Sequence, residues 1–265
     1  MSYPRWRAVT GVSLATLGIA AATAQAAPVS VDQKQDLNVT VKPSKAGTKK
    51  APTPATLGVT IRTENVDNPA TTKTVSVFFG KGISFNNASF PTCSLKTINQ
   101  QRSIRGCPKG SIVGRGTARA IGFIGTPGSY SMIPESLTVT AVNSTHNTLQ
   151  LFVQGAAPLT VAAPITGKLV KASGKYGMRL NVTVPQALRE VIPGNWAPLV
   201  FFKVSVKATT TVTKGGKKVK VPYVQTTSCP KGGWPFSAGF GFDDAAMAPF
   251  GSPPVTAVSP NAKCS

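Results

Sequence analysis

Short runs of alternating apolar and polar residues, punctuated by glycine and proline, govern what this 265-residue chain can fold into. The pattern is clearest in Leu37-Asn38-Val39-Thr40-Val41 and recurs at 57–61, 74–78, 137–141, 149–153, 176–184, 202–208 and 219–223. A period of two sends successive side chains to opposite faces of an extended segment, so each run reads as a strand with one buried face. With 25 glycines and 22 prolines in the chain, long helices have no room, and the pattern indicates an all-β antiparallel β-sandwich with little helix. Only 185–192 has the spacing of a helix, of barely two turns. Lys214-Gly215-Gly216-Lys217 joins two alternating runs and predicts a tight hairpin, because glycine supplies the positive φ that such turns need. Residues 171–175, KASGK, predict a second. If 185–197 form a short return, both lysine-bearing turns fall at one end of the sandwich.

The first 26 residues carry the three parts of a secretory signal: Arg5 and Arg7, an apolar stretch over 8–22 that is too short to cross a bilayer, and the small-residue site Ala24-Gln25-Ala26. Cleavage after Ala26 is expected. It would leave a flexible segment over 27–36 and a β-sandwich domain over 37–265, with no membrane-spanning segment. Two packed sub-domains meeting near 125–135 are the other arrangement considered. The expected location is outside the cytoplasm, either secreted or associated with the cell envelope.

Four cysteines, Cys93, Cys107, Cys229 and Cys264, suit an oxidising compartment and allow three disulfide pairings. Cys93 with Cys107 and Cys229 with Cys264 is the favoured set. The first pair would close a polar stretch without clean periodicity, and the second would tie down the Pro- and Ala-rich 243–263. Loops of these lengths contribute about 3 to 4 kcal/mol each in the chain-entropy account. Zinc is disfavoured, because no CxxC occurs and the one histidine is remote from every cysteine in sequence. The tetrapeptide Cys-Pro-Lys-Gly occurs twice, at 107–110 and 229–232, each time just before an extended segment. Proline cannot donate to a ladder and glycine permits a sharp turn, so both copies read as disulfide-anchored strand starts. Counting onward, Gly114, Gly116, Ala118 and Ala120 match the offsets of Phe236, Ala238, Phe240 and Phe242. Small residues facing large ones predict two strands opposed across the core.

In Phe90-Pro91-Thr92-Cys93, in Cys107 to Ala118 (CPKGSIVGRGTA) and in Cys229 to Phe236 (CPKGGWPF) with a late cysteine, the chain resembles a widespread group of uncharacterised secreted actinobacterial proteins. The resemblance spans roughly 35–265. It implies export, disulfides and an all-β fold, and it implies no catalytic residue.

Catalytic patterns are sparse. A hydrolase would have to use His146, the one histidine, as base, or a Glu135/Glu190 pair. No GxSxG elbow is present. Ser228 and Lys231 match SxxK, but proline and a cysteine sit between them where a helix is required. No calcium loop or glycine-rich phosphate loop occurs, so no metal or cofactor is expected. Charge is the stronger signal. With 29 basic residues against 8 acidic ones the formal charge is +21, or +19 once the leader's two arginines are gone. Lys171, Lys175, Lys214, Lys217 and Lys218 are the candidate anion-binding residues, with Lys45, Lys49, Lys50 and Lys220 nearby in turns. The reading is a structural or binding protein that associates electrostatically with an anionic cell-wall polymer or polysaccharide. Specific nucleic-acid recognition is not expected, since few aromatics are available for base stacking. Val224–Thr227 and Leu37–Val41 are candidate sheet edges for an added strand.

Overall fold

The computed structural model describes residues 29–126, 129–145, 147–244 and 248–265; the leader read in 1–26, and His146, lie outside them. One antiparallel ladder runs Val255–Ala262, Trp234–Phe242, Thr72–Gly80, Tyr176–Thr183, Val161–Lys171, Thr148–Gly155, Ser129–Asn143, Ile112–Thr126, Leu199–Val206, Thr53–Thr63 and Gln35–Lys42. Its two ends meet. Gln35–Lys42 lies beside Val255–Ala262, where the Val39 N–H donates to Ser259 Oγ at 3.0 Å. Ser265 closes the seam, accepting from Ala46 N and donating to Ser44 O at 2.8 and 3.1 Å. The sheet is therefore rolled up, and its inward faces pack together as the layers of a sandwich. Ile112–Thr126 and Ser129–Asn143 pair along their length, from Ile112 with Val142 to Thr126 with Ser129. Ahead of Gln35, Val29–Ser30 pairs in parallel with Phe250–Gly251, and Gln33 is buried.

The alternation maps onto this roll directly. Leu57, Val59 and Ile61 stand opposite Val206, Val204 and Phe202, while Leu180 and Val182 stand opposite Val77 and Val75. Apolar cross-strand pairs of this kind are the packing unit of a sheet. They enclose an interior cavity of about 100 Å³. Left empty, a void of that size costs about 2 kcal/mol.

Both disulfides form in the favoured pairing, Cys93 with Cys107 and Cys229 with Cys264. The first holds a loop against the outer face of the sheet, where Cys93 and Ile98 bury against Val142 and Phe152. Inside it lies the helix Leu95–Gln101, which periodicity did not reveal; the Ser94 hydroxyl caps it by accepting from Thr97 N at 3.0 Å. Between 185 and 192 the helix shrinks to Gln186–Arg189. The two Cys-Pro-Lys-Gly segments do lead into strands, Ile112–Thr126 and Trp234–Phe242. These strands are not neighbours in the ladder but feed one core cluster, with Ala118, Ala120, Phe236 and Phe240 all buried. Gly116 has a more local reason to be glycine: a Cβ there would sit 1.9 Å from Lys203 O on the adjacent strand.

Neither expected edge is free. Val224–Thr226 is paired on both sides, by 53–55 and by Ile83–Phe85, and Gln35–Lys42 is flanked by Thr53–Thr63 and Val255–Ala262. At Val224–Thr226 strand addition is ruled out by backbone already in use, while the second side of Leu37–Val41 is covered by Val255–Ala262.

Candidate functional site

In an antiparallel roll every second connection emerges at the same end, so register decides which turns become neighbours. Tyr176 pairs with Gly80, Trp234 with Ala262, and Val206 with both Leu57 and Gly114. The connections 43–52, 86–111, 171–175, 207–223 and 229–233 thus share one end. Lys171 and Lys175 are there, exposed on a turn whose Gly174 has φ +66°. The Lys175 ammonium also stands 5.4 Å from the Tyr176 ring centroid.

Lys214, Lys217 and Lys218 reach the same end on a separate two-stranded ribbon, Thr209–Lys214 with Lys217–Pro222, turned by Gly215 and Gly216 at φ +53° and +76°. Facing partners in a ladder lie on the same side. Lys214 is opposite Lys217 at the tip; Lys218 is opposite Thr213, and Lys220 opposite Thr211, on one exposed face. Lys218 and Lys220, two residues apart on that face, are separated by about 7 Å along the strand. The expected cluster of Lys45, Lys49 and Lys50 falls in the adjoining 43–52 connection.

Sequence reasoning missed several members of this surface. Lys81, Lys109, Lys207, Lys231 and Lys263 flank strand ends on the same side and are exposed. It also missed the complementary fact that all eight acidic residues of the chain lie toward the opposite end. Asp32, Asp36, Glu64 and Asp67 border the start of Gln35–Lys42 and the connection after Thr53–Thr63. Glu190, Asp243 and Asp244 occupy the connections after Tyr176–Thr183 and Trp234–Phe242. Glu135 joins them through Oε2, which accepts from Leu159 N at 3.1 Å. Counting strand parity along the chain would have predicted this division.

Arg189 is ion-paired with Asp243 at the acidic end. With the Asp and Glu side chains lying toward the other end, the lysine end concentrates one sign of charge and attracts anions over the Debye length, about 8 Å in physiological salt.

Of the residues named for the hydrolase alternative, His146 lies outside the described residues, and Glu135 and Glu190 each accept a hydrogen bond from backbone. Glu190 Oε1 accepts from Gly194 N at 2.8 Å and Oε2 from Gln186 Nε2 at 2.9 Å. The Gly194 bond foremost, then the Gln186 bond and the Arg189 charge, hold its carboxyl below the usual carboxylate range. Glu135 is buried, with Oε1 unbonded beside Gly155. Ser228 to Lys231 is not helical, and the Ser228 carbonyl accepts from Trp234 Nε1 at 2.9 Å. Among the described residues no three His, Cys, Asp or Glu side chains converge as a metal site, and no helix is long and apolar enough to cross a membrane.

Comparison with protein families, with curated proteins and with solved structures finds no match.

Proposed function

We propose that this is an exported binding protein that docks end-on, through its lysine end, to an anionic polymer of the cell envelope. The observation that carries the reading is the segregation of charge: lysines from five separate connections at one end, and all eight Asp and Glu side chains toward the other. A soluble protein that needed positive charge only to stay dispersed gains nothing from sorting it by end. A protein that must orient on a polyanion does, because the acidic end is repelled while the lysine end is drawn in. Lys171, Lys175, Lys214, Lys217 and Lys218 form the outermost contacts, and the ribbon face with Lys218 and Lys220 presents charges at intervals suited to a chain of repeated phosphate or carboxylate groups.

Export is supported by the leader pattern and by two disulfides, which persist in oxidising compartments. A polymer backbone is favoured over nucleobases, since the rings of Phe79, Phe85, Phe236 and Tyr223 pack against one another inside the roll, and Tyr176, the ring beside Lys175, is itself packed against Phe78. Retention of the purified protein on immobilised polyglycerol phosphate, compared with a neutral glucan, tests the reading. Retention on the phosphate polymer alone, eluted by salt, is expected. Equal retention on the glucan, or retention indifferent to salt, contradicts it.

A further inference from the structure

The cavity inside the roll is independent of the lysine surface. The inward residues Leu199, Phe202, Val204 and Val206 all line it, so it follows a strand for roughly 20 Å while enclosing only about 100 Å³. It is a narrow slot. Its lining is hydrocarbon apart from Tyr223, and the Tyr223 hydroxyl is engaged elsewhere, accepting from Asn87 Nδ2 at 2.7 Å and donating to Asn143 Oδ1 at 3.4 Å. Water admitted there would find no hydrogen-bond partner, and apolar cavities of comparable size stay dry and accept apolar guests. Burial also differs along its length. Leu57, Phe79, Val206 and Tyr223, toward the lysine end, are buried and Phe85 alone is half-buried there, whereas toward the acidic end Ile61, Val75, Val184 and Leu199 face inward yet are only half-buried, with Val182 the buried exception.

We propose that this slot is a binding site for one unbranched alkyl chain, entering from the acidic end. The chemistry selects hydrocarbon, because no polar atom is offered, and the shape selects a linear chain over a globular one. The opening faces away from the surface that would hold the anionic polymer, so both sites can be filled together.

The test uses the full mature protein with both disulfides formed, at about 1 M salt, where screening to roughly 3 Å suppresses attraction of a carboxylate probe to the lysines. A linear fluorescent polyene fatty acid is titrated in, then challenged with a neutral long-chain alcohol and separately with the globular adamantanol. Saturable 1:1 binding is expected, displaced by the alcohol and not by adamantanol. Val204→Phe and Val182→Phe, which fill the slot from different strands, should each weaken it by at least about tenfold, with the circular dichroism of the wild type retained. If neither variant folds, the two competitors on the wild-type protein decide. Absence of saturable binding, equal displacement by adamantanol, or undiminished binding in folded variants overturns the proposal.

Discussion

The backbone N–H of Lys81 donates to the carbonyl of Lys175 at 3.2 Å, fastening two lysine-bearing turns that lie far apart in sequence. Lys81 follows Thr72–Gly80, and Lys175 belongs to the turn before Tyr176–Thr183. The collected charge is thus a product of sheet register, and whatever disturbs register disperses it.

Removing the disulfides separates two kinds of support. Cys93→Ser with Cys107→Ser should lower stability by about 3 kcal/mol and Cys229→Ser with Cys264→Ser by about 4 kcal/mol. Denaturant titration measures both. Hydrogen exchange should rise within 94–106 for the first variant alone, because only that bridge holds the helix Leu95–Gln101 against Val142 and Phe152.

Asn143 anchors the loop that precedes this helix. Its buried Nδ2 reaches the carbonyls of Asn87, Phe90 and Pro91 at 3.1 to 3.2 Å, and its Oδ1 accepts from Asn87 Nδ2 and the Tyr223 hydroxyl. Asn143→Leu strands several buried polar groups at about 1 to 3 kcal/mol each. A loss of at least about 3 kcal/mol in thermal or denaturant unfolding is expected, whereas a near-neutral result would mean that these groups find other partners.

Two glycines on extended backbone should respond oppositely to alanine. At Gly116 the new methyl would meet Lys203 O at 1.9 Å, while at Gly239 nothing lies within 4 Å. Gly116→Ala should cost about 3 kcal/mol by forcing adjacent strands apart, and Gly239→Ala should change stability little. Unfolding midpoints of the pair settle the contrast.

Burial pushes the Tyr223 phenol well above the ordinary tyrosine value of 10.0. The folded state therefore holds this proton more tightly than the unfolded chain, and stability is full below pH 10 and declines as the pH rises beyond it. Glu190 has the opposite sign: its carboxyl is lowered from 4.5, so its contribution is present above that pH and fades as the solution becomes more acidic. Tyr223→Phe should remove the alkaline decline assigned to this group, read from unfolding free energies on either side of pH 10.

Much of the fold was legible because alternation reports a local property, the burial of every second side chain. The Lys-Gly-Gly-Lys turn was equally local, needing only two positive φ angles. The helix at Leu95–Gln101 was not legible by periodicity, since Ile98 is its one buried residue and a single anchor leaves no period to detect. Closure of the sheet depends on pairings such as Val204 with Val59 and Gly116, segments remote along the chain. For the same reason the lysines could be seen as clusters while their union at one end, and the gathering of Asp36, Glu64, Glu190 and Asp243 at the other, emerged only from strand order.

Placement of charge, rather than its amount, is the central claim, and a matched pair of variants isolates it. Lys214→Glu, Lys217→Glu and Lys218→Glu alter the ribbon, while Lys34→Glu, Lys73→Glu and Lys203→Glu change net charge equally away from the lysine end. The measurement is the affinity of each for polyglycerol phosphate as a function of salt. The ribbon variant should lose at least about tenfold in affinity and show a shallower salt dependence, with the control close to wild type. Equal losses in the two variants would contradict an oriented surface and leave net charge alone as the cause.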